Sequence, residues 1–341
     1  MRLTHTPLLS LLSIFAAAGL GLSSCNSNPV LKPDTPTDEL ESKDHDEAFR
    51  VEVTLNAAHY HGSELHILPP VEGAKIYDAN VQKIVFENTP DGFLPKAGTP
   101  SKFAVKGGLH PDKKPADPAS AGWTDGSFDG AAAHKGIDAY YLTIRFFAKD
   151  GDEITGEFGT PEESKIHQLF FIPEGIKATK FGDPATTYTP DYHYLGYYYM
   201  DTTPWDKEDG AFTGISNPIG LKGLIEFYAP DTQFDLRIQL MHAKVSKYLE
   251  DGKSTSPFYK PTDLQRARED WEDLDLRIPV VVFADAADEY ITSHSYEELT
   301  PEDKRLAEKL ADALGISVEQ AYADLLSSQN NDNETDHDHE H

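Results

Sequence analysis

A mainly β fold, an antiparallel β-sandwich closed by a C-terminal helical hairpin, is what this chain predicts, and three observations predict it. Apolar and polar residues alternate through several short runs, the period of a strand with one buried face. Aromatic residues make up 11% of the chain, a composition that suits a pleated surface. Helix start and stop signals appear only from Thr300 onward.

The 341 residues, 39% of them hydrophobic, hold one large or two medium domains and enough apolar material for a core. A net charge of −28 repels nucleic acid and anionic head groups and attracts cations. Nucleic-acid binding is therefore not expected.

The strands follow in order. FRVEVTLNAAHYH, from Phe49, alternates cleanly, with Val51, Val53 and Leu55 on one face and Glu52, Thr54 and Asn56 on the other. VQKIVFEN is a second strand, and residues 90–138, rich in Gly, Pro, Asp and Lys, read as a long loop. YYLTIRFFAKDGDEITGEF places Asp150-Gly151 between two alternating runs, a hairpin signal. HQLFFIPEG and YLGYYYMDT are short strands, LKGLIEFYAPDTQFDLRIQLMHAKVSKY reads as another hairpin, and LDLRIPVVVFAD as a buried strand. Phe49 onward aligns with Phe234 onward, and Ile144 with Ile225. The echo is read either as two related halves, 48–185 and 186–295, or as amphipathic strands of equal period.

The helical hairpin spans 299–328. Thr300-Pro301-Glu302-Asp303 supplies an N-cap, a proline at N1 and an acid at N3. Gly315 is the C′ glycine, and Ser317 with Gln320 forms a second capping box. Residues 329–341 are expected to be a disordered tail, NDNETDHDHEH at its end.

Residues 1–24 are a secretory signal: Arg2, then an apolar run from Leu8 to Leu22 too short for a convincing membrane span. It ends in Leu22-Ser23-Ser24-Cys25. That ending resembles the lipobox of bacterial lipoproteins, which implies cleavage before Cys25 and its lipidation. The plainer reading is an ordinary signal peptide with a coincidental cysteine. Cys25 is the chain's one cysteine, so the mature domain has no disulfide or thiolate chemistry. Asn26 rather than Asp follows it, which points to the outer membrane, its surface or periplasmic face left open. Residues 25–47, rich in Pro, Asp, Ser and Thr, are a flexible tether.

The candidate chemistry is histidine chemistry. His59, His61 and His66 fall within eight residues. Period-two alternation puts His59 and His61 on the face of Val51, Val53 and Leu55. Neutral imidazoles there suit one ion at Zn–N distances near ~2.0–2.1 Å. Gly62 turns the chain, so Glu64 and His66 can fold back as further ligands. His242 ends the apolar face of Leu236, Ile238 and Leu240, and His167 opens that of Leu169 and Phe171; four strand ends could thus meet at one end of the sandwich. The alternative is strand-end histidines bonded to loop carbonyls.

His337, His339 and His341 alternate with carboxylates, a weak capture tract for Zn²⁺, Ni²⁺ or Cu²⁺. It resembles the His/Asp-rich loops of bacterial zinc-uptake proteins; an acidic solubilising tail is the alternative. Tyr188, Tyr192, His193, Tyr194, Tyr197, Tyr198 and Tyr199, with Trp205 nearby, suit a haem or sugar face or, more simply, core packing. Asp201, Asp206, Glu208 and Asp209 miss the regular Ca²⁺-loop spacing. No nucleophile elbow, phosphate loop, dinucleotide fingerprint or H-E-x-x-H is present, so no enzyme is read.

In layout the chain looks like the accessory surface lipoproteins that partner TonB-dependent transporters in Bacteroidota. That resemblance implies a lipid-anchored protein presenting a divalent transition metal, zinc first, to an outer-membrane transporter. A haem-binding or a carbohydrate-binding lipoprotein is the alternative.

Overall fold

The computed structural model describes residues 48–61, 64–70, 80–108, 123–124, 127–128, 139–186, 194–206, 211–212, 219–285 and 295–336. The signal, the lipobox with Cys25, the tether, Tyr188, Tyr192, His193, Glu208, Asp209 and the tail histidines lie outside the described residues.

The alternation in strand β1 (Arg50–His61) organises the first sheet. Val51, Val53 and Leu55 are buried while Glu52, Thr54 and Asn56 are half-exposed. One edge of β1 pairs with β8 (Ala139–Phe147) and the other with β3 (Val81–Thr89), both antiparallel. The sheet continues through β13 (Lys222–Phe227) to β10 (Leu195–Tyr199) on one side. On the other it ends at β4 (Gly92–Pro95), and β2 (Glu64–Ile67) is a further partner of β1.

The second sheet runs β5 (Phe103–Gly107), β15 (Glu269–Asp285), β14 (Thr232–Ala243), β9 (His167–Ala178). Only its β5–β15 pair is parallel. Two-residue ladders join β6 (Trp123–Thr124) to β7 (Ser127–Phe128) and β11 (Thr202–Thr203) to β12 (Ala211–Phe212). Val53, Leu55, Leu142, Ile144 and Phe146 of the first sheet share one apolar cluster with Leu169, Phe171, Leu236, Ile238 and Ile278 of the second. Each such fully buried side chain contributes about 1.5–3 kcal/mol, and together they hold the two sheets face to face as a sandwich.

Four sequence expectations are corrected here. The stretch around Tyr228–Asp231 is not a hairpin: it carries the chain from β13 in the first sheet to β14 in the second. β13 is buried throughout and β14 alternates over its first half, and neither pattern says which sheet a strand joins. The 90–138 loop contains β4 and β5, and β5 is hidden by its brevity. The Asp150-Gly151 turn forms, with Gly151 at φ +100°, but its return arm is a single bridge, Phe147 to Glu153. Thr155 then accepts the Phe146 N–H through its hydroxyl at 2.8 Å and opens a short helix, α1 (Thr155–Phe158). Finally, the sheets do not divide the chain at residue 185. β9 pairs with β14, while β10 and β13 join β1 and β8, so both sheets draw on both halves.

Beyond α2 (Asp263–Arg268) and β15, the C-terminal pair forms as its caps dictate. In α3 (Pro301–Leu314) the Thr300 hydroxyl accepts from Asp303 N–H at 3.1 Å, and the Asp303 carboxylate accepts from Thr300 N–H. Gly315 closes it in the left-handed region at φ 72°. Leu306, Leu310 and Ala311 pack on Ala104, Phe283 and Ala284 of the second sheet. Ser317 and Gln320 cap α4 (Val318–Asp336) reciprocally. Its backbone is helical past the expected end near Ser327 and into the tail, up to Asp336. No described helix is long and apolar enough to cross a membrane.

Candidate functional site

The histidine-rich end of β1 folds back on itself. β2 pairs with β1 antiparallel, Ala58 opposite Ile67, His59 opposite His66, Tyr60 opposite Leu65 and His61 opposite Glu64. Directly opposed residues share a face, about 4.5–5.5 Å apart at Cβ, and alternate residues share a face roughly 7 Å apart. Positions 59, 61, 64 and 66 therefore make a two-by-two patch of three histidines and one glutamate. Their parity is that of buried Val51, Val53 and Leu55. Positions 59 and 61 continue that parity along β1 past Ala58, its last pairing with β8.

The base of this ribbon is fixed by main-chain geometry. Ala57 N–H donates to Asn80 O at 2.6 Å, and Ala57 O accepts from Leu68 N–H at 2.8 Å. Both groups of Ala57 face the edge of β1 that β2 and β3 share, β3 along residues 50–56 and β2 along 58–61. Asn80, 1% exposed, stands where the two meet, and its Nδ2 donates to Pro69 O at 3.0 Å.

His167 and His242 occupy the other end of the sandwich. They are register partners on β9 and β14, facing inward as their strand patterns imply. Both are buried, with ring centroids 4.4 Å apart, edge to face. Phe158 stacks edge-on against His167 at 5.2 Å and Phe146 against Phe158 at 4.6 Å. Phe146 is opposite Val51, and Val51 lies eight residues, about 26 Å at ~3.3 Å each, from His59. The expected meeting of all five histidines at one end is thus corrected: β13 ends level with the tip of β1, Glu226 opposite Ala139 and Ala139 opposite Ala58, so β14, which starts there, runs back toward the other end. The Nδ1 of His167 lies 3.0 Å from Glu163 O and 3.4 Å from its carboxylate. Among the described residues no three His, Cys, Asp or Glu side chains converge as a metal cluster; the side chains at 59, 61 and 64 are not among those described.

A buried polar centre near His167 escaped the sequence reading. The Asp201 carboxylate accepts from Ile219 N–H at 2.8 Å, Gly220 N–H at 2.7 Å and Lys222 N–H at 3.2 Å. Burial pushes it above its ordinary pKa, against those three N–H groups and Lys247. Lys247, 1% exposed, donates from Nζ to His167 O at 3.1 Å. Burial brings its ammonium down to about 7, against the pull of Asp201. Gln168 donates to the Tyr199 hydroxyl at 3.2 Å and to Ser256 O at 2.9 Å. This network joins the start of β9, the end of β10 and the 244–262 excursion. A lone lysine in KVSKY carries no pattern that would mark it as buried. Asp201 is no Ca²⁺ ligand candidate, since main-chain N–H groups occupy both its oxygens.

Tyr197, Tyr198 and Tyr199 are core. Tyr197 and Tyr199 point between the sheets, Tyr197 3.9 Å from the Phe171 ring centroid. Tyr198 faces the other way, among Ala58, Ala139 and Leu224. None of these three offers an open stacking face. No family model, no curated protein and no solved structure matches the chain.

Proposed function

We propose that this protein is a cell-envelope lipoprotein that binds a divalent transition metal, zinc first, at the β1–β2 ribbon. One observation carries the reading: the register that sets His59 against His66 and His61 against Glu64. Three imidazole nitrogens and one carboxylate complete a four-coordinate set. Such a set suits borderline ions such as Zn²⁺, Ni²⁺ and Cu²⁺ over soft Cu⁺ or all-oxygen Ca²⁺ and Mg²⁺. His167 and His242 are assigned to packing and hydrogen bonding rather than to this site. In this proposal His337, His339 and His341 capture metal weakly, Cys25 anchors the chain to the outer membrane, and a TonB-dependent transporter receives the ion.

Titration calorimetry with zinc tests the site on protein truncated after Asp336. One tight equivalent should survive truncation, because a set fixed by strand register is preorganised. His59→Ala or His61→Ala should remove it. Acidification toward pH 5 should weaken it, protons competing for imidazoles with an unperturbed pKa of ~6.5. Wild-type affinity in both alanine variants would defeat the proposal.

A further inference from the structure

We propose that Asn80 is a positioning residue for the ribbon, locking β2 against β1 and so setting the spacing of positions 59, 61, 64 and 66. The ligand rests on the metal reading above; the mechanism rests on the hydrogen bonds of Asn80, one from its main chain and one from its side-chain amide. β2 is four residues long, and a two-stranded ribbon of that length is marginal in water. Pro69-Pro70 follows it, and proline has no N–H with which to extend the ladder. The ladder's last bond is Leu68 N–H to Ala57 O.

Asn80 replaces the missing pairing. Its carbonyl holds Ala57 N–H, and its side-chain amide holds the carbonyl of Pro69. One buried residue therefore ties the exit of β2, the entry of β3 and the central strand together. Asparagine serves because the amide donates where alanine or aspartate cannot. Deleting the donor removes the Asn80 hold on the Pro69 carbonyl, a part-buried bond. Asn80 is not itself one of the proposed ligands. It acts by keeping β2 in register, and a one-residue slip would send His66 and Glu64 to the opposite face.

The test compares full-length wild type with Asn80→Ala, reading zinc affinity by competition with a chromophoric chelator and amide hydrogen exchange along 64–68. Loss of a supporting contact costs metal sites roughly ten- to hundred-fold, and that is the weakening expected. Exchange should quicken at 64–68 while the β8 and β13 amides stay protected. Asn80→Asp, equal in size but without the donor, should behave the same and serves if the alanine variant does not fold. Unchanged exchange at 64–68, or affinity within about twofold of wild type, overturns the inference. If wild type binds no zinc at the ribbon, the metal reading fails separately, and exchange alone decides the role of Asn80.

Discussion

Replacing Lys247 by methionine should change how stability depends on pH. In the folded protein the ammonium sits 1% exposed with its pKa lowered to about 7 from 10.5. An unfolded chain keeps its proton up to about 10.5, so between pH 7 and 10.5 the unfolded state binds more protons and stability rises with pH. The penalty is fully present below pH 7. A difference of about 3.5 units corresponds to about 5 kcal/mol, of which about 3 kcal/mol should return between pH 6.5 and 9.5. Methionine keeps the volume and removes the titration. It also gives up the bond from Nζ to His167 O, worth about 1 kcal/mol net. Urea denaturation of both proteins at the two pH values reads the effect. Wild type should gain about 3 kcal/mol, Lys247→Met should gain little, and the variant should compare best at the lower pH. A flat wild-type profile, or the same slope in the variant, would refute the argument that Lys247 is buried at the cost of its charge.

Three further outcomes are expected. Cys25→Ala should move the protein out of the membrane fraction, and unchanged fractionation would contradict lipidation at the lipobox. Gly196→Ala should destabilise by about 2–4 kcal/mol in denaturant. Its Cβ would come 2.0 Å from the Tyr228 hydroxyl, displacing the bond from that hydroxyl to the buried Glu226 carboxylate; a change under ~1 kcal/mol would show that the ring moves aside freely. Thr300→Ala should cost about 1 kcal/mol by removing the α3 cap, and it should raise exchange in the first turn of α3 before it affects the sheets.

What the sequence conveyed depended on whether a residue's role is local. Period-two alternation located β1, β3, β8 and β14, which bury mainly one face, while β9, β10 and β15 stood out as short apolar or aromatic runs. Capping located α3 and α4 because Thr300, Gly315, Ser317 and Gln320 act within a turn of their helices. The fold-back of Glu64 and His66 was legible for the same reason: β2 pairs with the residues just before it on β1. Which sheet a strand joins was not legible. β13 and β14 read as a hairpin and lie in different layers. Strand direction was not legible either: β14 starts level with the tip of β1 and runs the opposite way, which parts His167 and His242 from His59. Lys247 and Asp201 were invisible as a pair, since they are brought together across 46 residues of chain by packing alone. β5 was missed because a parallel strand of five residues needs a partner, β15, far along the sequence.

X-ray absorption at the zinc edge of protein truncated after Asp336 and loaded with one equivalent tests the central claim most directly. The account predicts a four-coordinate shell of three imidazole nitrogens and one carboxylate oxygen, near ~2.0–2.2 Å. His66→Ala should reduce the imidazole count by one. A shell without imidazole, or one unchanged by His66→Ala, would contradict it.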